Sequence, residues 1–233
     1  MDTSKAFDPY DIIGVITPGF VVAFLLMVEW PELKALVGKD GLTLADLGIL
    51  VLAAFVLGHL VQGLGNLLEM IVWAPAGMPT AWVRKAGQSL VTLAQRNALA
   101  AKVSEMEGGP MDLATFTRKD WRVITMRMYG RVRTAGRSAR VDGCNRTYGM
   151  FRGLSAAFLA AVVWYAVKDI SNLVPVLLTG GMTVAALFRM YRVSIQYGRN
   201  LILEYIDLPP IQNAALSGPT VAQPTPINSP SPG

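Results

Sequence analysis

The stretch LGILVLAAFVLGHLVQGLGNLL, residues 47–68, decides how the rest of the chain is read. It carries no Asp, Glu, Lys or Arg, and as a helix rising ~1.5 Å per residue it is long enough to cross ~30 Å of hydrocarbon. A helix satisfies its backbone donors and acceptors internally, which is what a lipid interior demands. Three more apolar runs accompany it, at residues 12–28, 154–167 and 173–188. The whole chain of 233 residues is 52% hydrophobic and 16% charged, against about 25% charged in an average soluble domain. The gathering of the apolar residues into four runs argues against one ordinary soluble core. The expectation is an all-α membrane protein with four transmembrane helices and a helical cytoplasmic extension.

Fourteen of the twenty-one Lys and Arg residues lie between Arg84 and Arg152, whereas the loop joining the first two runs holds only Lys34 and Lys39. The positive-inside rule then makes the long middle loop cytoplasmic and puts both termini on the same side. The expected divisions are residues 1–73 with two spans, 74–150 as a basic helical cytoplasmic region, 151–190 as a transmembrane hairpin and 191–208 as a cytoplasmic helix. Residues 209–233, rich in Pro, Ser and Thr, are expected to form a disordered tail. Residues 1–10 lack a cationic leader, so the first apolar run is expected to remain in the mature protein. Pro18-Gly19 within it predicts a kink.

One cysteine, Cys144, and one histidine, His59, leave no internal disulfide and no two-histidine metal site within a protomer. Enzymatic readings find little support. Asp142-Gly143 lacks the further carboxylates a metal-dependent phosphatidyltransferase needs, no P-loop is present, and the apolar runs hold no nucleophile–base pair. The expectation is a non-enzyme without cofactor.

Two patterns point to function. Along the second run and one residue past it His59, Gln62, Asn66 and Glu69 recur at spacings of 3, 4 and 3, within about 80° on one helix face, and Leu52 and Phe55 continue that face. Four polar groups facing lipid are costly. The stripe therefore serves interhelical hydrogen bonding, a water-filled path along an oligomer axis with Glu69 as a charged ring, or a proton-relay or ligand role for His59. The second pattern is at residues 118–140. Trp121, Ile124, Met128, Val132, Ala135 and Ala139 make an apolar stripe, while Arg118, Lys119, Arg122, Arg133, Arg137 and Arg140 gather on another face. A break is expected at Gly130 or Gly136. That face suits anionic lipid, plain solvation or a polyanion such as a nucleotide or single-stranded nucleic acid. Arginine outnumbers lysine there, and its planar fork grips phosphate in two places.

Phe7-Asp8-Pro9-Tyr10, Gly14, Pro18-Gly19, Gly58-His59, Gln62, Gly65-Asn66, Glu69, Asn145, Tyr148-Gly149 and Phe151-Arg152-Gly153, taken together, resemble a group of small bacterial inner-membrane proteins. The layout is similar to four-helix membrane effectors of anti-phage defence, the Hailong-type channel subunit among them. That resemblance implies a homo-oligomeric channel in the bacterial inner membrane that depolarises its host and reads a nucleic-acid signal through a basic cytosolic region. The alternative is a non-catalytic scaffold or accessory subunit recruiting a cytosolic partner protein or anionic lipid.

Overall fold

The computed structural model describes residues 9–34, 43–169 and 171–210. Among them the chain is helical throughout and contains no strand. The helices are α1 (Pro9–Glu29), the one-turn α2 (Pro31–Lys34), α3 (Leu44–Trp73), α4 (Leu93–Glu107), α5 (Arg118–Thr134), α6 (Ala139–Lys168) and α7 (Leu173–Ile206), with 3-10 turns at Pro79–Arg84 and Leu113–Thr115. Three of them, α3, α6 and α7, are long and apolar enough to cross a membrane. Only 17% of the most apolar window of α3 is buried inside the protein. Leu52, Leu60, Leu64, Val174, Leu177 and Phe188 stand out from the surface instead. Such a surface would aggregate in water and is stable against lipid tails, so the chain has the character of a multi-pass membrane protein. The described apolar part of α1, Gly14–Glu29, is shorter. The helix runs through Pro18 without interruption.

Helix starts follow local chemistry. Thr43, Thr92 and Thr117 each cap a helix, their hydroxyls accepting from the backbone N–H three residues on, while Asp46, Gln95 and Asp120 reach back to the cap N–H. The hydroxyl and backbone N–H of Thr117 hold the Asp120 carboxyl below its ordinary range. At Gly136, with φ of +72°, the chain reverses, and the N–H of Arg137 closes on the Val132 carbonyl at 3.0 Å. The basic segment is therefore broken at Gly136, while Gly130 sits inside α5.

Two bodies of packing result. In the bundle α1 lies on α3, both lie on α6, and α6 pairs with α7. Gly19 and Gly58 let α1 and α3 touch backbone to backbone: a Cβ at Gly19 would fall 1.7 Å from the Ala54 carbonyl oxygen, and one at Gly58 2.1 Å from that of Val15. The second body is a helical head in which α4, α5 and the 3-10 turns pack on the far ends of α6 and α7. Its core includes Leu99, Leu113, Trp121, Val132, Val141, Leu201 and Tyr205. Trp121, Ile124, Met128 and Val132 face that core, whereas Ala135 and Ala139 lie outside it, beyond the end of α5. Aromatic residues mark both ends of the bundle: Trp30 beside Trp164 with ring centroids 5.3 Å apart, and Trp73 stacked on Tyr191 at 5.7 Å. The expected tail lies outside the described residues from 211 onward.

Candidate functional site at the junction of bundle and head

Rotation along α3 sorts its polar stripe. Ala54, Gly58, Val61 and Gly65 form the buried line of the helix. At about 100° per residue, Gln62 and Glu69 stand roughly 50–70° from the centre of that line, and Asn66 and His59 roughly 110–130°. The first two are accordingly half-buried and the other two exposed. Leu52 and Phe55 are exposed as well. The ring of His59 meets Phe55 edge-on at 4.6 Å.

Gln62 joins three helices. Its Nε2 donates to the Gly14 carbonyl of α1 at 3.3 Å and to the Gly149 carbonyl of α6 at 3.1 Å. Its Oε1 accepts from Nη2 of Arg152 at 3.2 Å. Nη1 of the same guanidinium donates to Oε2 of Glu69 at 2.6 Å, and the guanidinium carbon lies 5.9 Å from the centre of the Tyr148 ring. Tyr148 in turn accepts from Nε1 of Trp73 at 2.9 Å. A Cβ at Gly153 would meet Pro18 at 2.9 Å and Gln62 at 3.0 Å, so the network is held tightly from α1 and α6. Nε of Arg152 is buried with no hydrogen-bond partner among the described residues. In the sequence Arg152 stands just before the third apolar run, and no helical periodicity links it to Glu69. The signal that could have found it is the lone Glu69 at the end of one span and the lone Arg152 at the start of an antiparallel one, which set opposite charges at the same depth.

The basic residues do not form one surface. Arg118 turns back to α3, its Nη1 and Nη2 donating to the Ala74 and Pro75 carbonyls at 3.1 and 3.2 Å, which answers carbonyls left open at the end of that helix. Arg122 stands beside it. Lys119 and Arg133 are exposed. Beyond the reversal at Gly136, Arg137 donates to Glu204 Oε2 at 3.0 Å and to the Asp207 carbonyl at 3.0 Å, and Arg140 lies 4.0 Å from Glu204. The straight helical projection that grouped all six fails because α5 ends at Thr134 and Arg140 belongs to α6.

What the fold does bring together is one end of each pattern. An open groove of about 930 Å³ between α3 and α5 is lined by Asn66, Glu69, Met70, Arg118, Arg122 and Arg152, among others. On the other side of the Glu69–Arg152 pair is a cavity of about 340 Å³ reached by Asn145, Ser194 and Tyr197. No cluster of three His, Cys, Asp or Glu residues able to hold a metal occurs among the described residues. With two arginines over an apolar floor, the groove can hold an anion that carries an apolar part. No family model, curated protein or solved structure matches this chain.

Proposed function

We propose that the chain is a subunit of a homo-oligomeric ion channel in the bacterial inner membrane, a pore-forming effector of the anti-phage kind, with four spans including α1 and both termini cytoplasmic. The observation that carries this reading is the exposed strip of His59, Gly63 and Asn66 on the otherwise apolar outer face of α3. Facing lipid alone, these polar groups are costly, and the opening at Gly63 is unfilled; facing copies of themselves around an axis, they line a wet path. Leu52 and Phe55, further along the strip, supply an apolar constriction that closes by dewetting. Glu69 enters this reading differently from a bare ring of charge, because Arg152 compensates it within each protomer. An anionic ligand, a nucleotide or short single-stranded nucleic acid, controls the pore from exposed cations of the head, Lys119 and Arg133. The assembly needs no catalytic group.

The test is ion flux from liposomes holding the purified chain, with and without short single-stranded oligonucleotides, compared with Asn66→Leu and His59→Leu. Flux that responds to oligonucleotide and falls in both variants supports the channel. A second reading, the non-catalytic scaffold or accessory subunit, is favoured by the bonds that satisfy Gln62 and Glu69 inside one protomer. Tight liposomes around a well-assembled oligomer under every condition would select it.

A further inference from the structure

The groove at the junction has two unlike walls. On α3 it is lined by Leu67 and Met70, exposed apolar residues continuous with the outward face formed by Leu60, Leu64 and Ile71. On α5 it is lined by Arg118, Arg122 and Met126. The charges in it do not balance. Glu69 is taken up by Arg152, Arg118 bonds only to neutral carbonyls, and Arg122 has no ion-pair partner among the described residues. Two guanidinium charges, one helical turn apart on α5, are therefore left lining the opening. Trp73 also lines the groove, and its stack on Tyr191 marks the depth at which apolar span gives way to polar head. The outer face of α5 agrees with that depth: Val123 and Met126 are exposed beside Lys119 and Arg122, an apolar pair flanked by cations.

We propose that this groove is a seat for a membrane phospholipid of net negative charge, its phosphate between Arg118 and Arg122 and its acyl chains along Leu67 and Met70. The inference rests on the membrane reading above and adds to it the class of ligand that occupies the junction. The fork of Arg122 matches phosphate oxygens bidentately, Arg118 adds its charge from beside it while its Nη1 and Nη2 hold the Ala74 and Pro75 carbonyls, and the amide of Asn66 at the lip offers donors and an acceptor to a hydroxylated headgroup. A zwitterionic headgroup brings a cation as well, for which the groove has no free carboxylate, since Glu69 is committed to Arg152. A free phosphate ester would have the arginines without the apolar wall. The lipid seat adjoins the strip of His59, Gly63 and Asn66, so a bound anionic lipid stands at the foot of any contact between copies.

The full chain in detergent, titrated with dioleoylphosphatidylglycerol, dioleoylphosphatidylcholine or glycerol phosphate and read by native mass spectrometry, tests this. The expected result is retention of phosphatidylglycerol at about tenfold lower concentration than phosphatidylcholine, with no retention of glycerol phosphate. Arg122→Gln should erase most of that preference, Met70→Gln should weaken both lipids together, and Lys85→Gln, an exposed cation outside the groove, should change neither. Equal retention of the two lipids, a preference that survives Arg122→Gln, or displacement of lipid by a short oligonucleotide would each overturn the proposal. Vesicle flotation separates the two readings: a chain that fails to float removes the membrane reading itself, whereas one that floats without the lipid preference removes only the seat.

Discussion

The guanidinium of Arg152 on α6 meets the carboxylate of Glu69 on α3 at 2.6 Å, and the two side chains are only 22% and 25% exposed. The pair is the charged centre of a bundle whose other contacts are mostly apolar. Removing either member leaves the other charge in a poorly hydrated place, which is more costly than the pair itself is stabilising.

Glu69→Gln and Arg152→Gln should therefore each lower stability by about 2 kcal/mol, below the cost of breaking a fully buried pair because both groups retain some water. The double variant should lose clearly less than the sum of the two. Denaturation of the purified chain in mixed micelles measures all three. Strict additivity would mean that the two charges do not feel each other. In the channel reading the double variant should leave ion selectivity nearly as it was, since the pair carries no net charge, whereas Glu69→Gln alone uncovers the Arg152 charge and should shift selectivity toward anions.

Glycines on α3 and α1 offer a second contrast, between contact inside the protomer and contact outside it. Gly19→Ala and Gly58→Ala each push a methyl into a backbone carbonyl of the facing helix, which no rotamer change relieves, so α1 should separate from α3 and stability should fall by about 2 kcal/mol or more. Gly63 meets nothing within 4 Å in its own protomer. Gly63→Leu should leave the fold of the protomer intact, yet shift the oligomer toward monomer by light scattering if the strip with His59 and Asn66 joins copies. An oligomer indifferent to Gly63→Leu would remove that strip from the interface.

These contrasts show what kind of information sequence carries. The apolar windows of α3, α6 and α7 are legible because length and hydropathy suffice, and the head's inner stripe of Trp121, Ile124, Met128 and Val132 is legible because one helix fixes its own periodicity. The starts at Thr92 and Thr117 are local too, since a capping box is closed within four residues. The polar stripe was visible only as a stripe. Which of its members face inward depends on where α1 and α6 lie, and that is set by Gly19, Gly58 and Gly65 through contacts with residues far away in sequence. Arg137 and Arg140 escaped for a related reason. A straight projection carries them onto the face of Arg118 and Arg122, but the left-handed turn at Gly136 sends them to Glu204 at the end of α7 instead.

Alkaline pH probes the joint between α5 and α6. The hydroxyl of Tyr129 donates to Oδ1 of Asp142 at 2.6 Å, and Ser138 donates to the other carboxylate oxygen at 2.7 Å. The bond to that anion, with partial burial second, pushes the Tyr129 phenol above its ordinary value of 10. A group whose folded pKa is raised contributes its full stabilisation below the unfolded pKa and loses it as pH rises through the folded one. Near pH 8, Tyr129→Phe should thus cost about 1 kcal/mol, the net worth of one hydrogen bond to a partly exposed charged acceptor. Above about pH 10 the phenol of the unfolded chain ionises while the native one, held beside Asp142, still keeps its proton, so the gap between the native chain and Tyr129→Phe should close as pH rises. Denaturation midpoints of the two proteins, followed by circular dichroism from pH 8 to 11.5, would read this directly. A gap that stays constant across that range would mean that the Tyr129–Asp142 bond does not hold the head to α6.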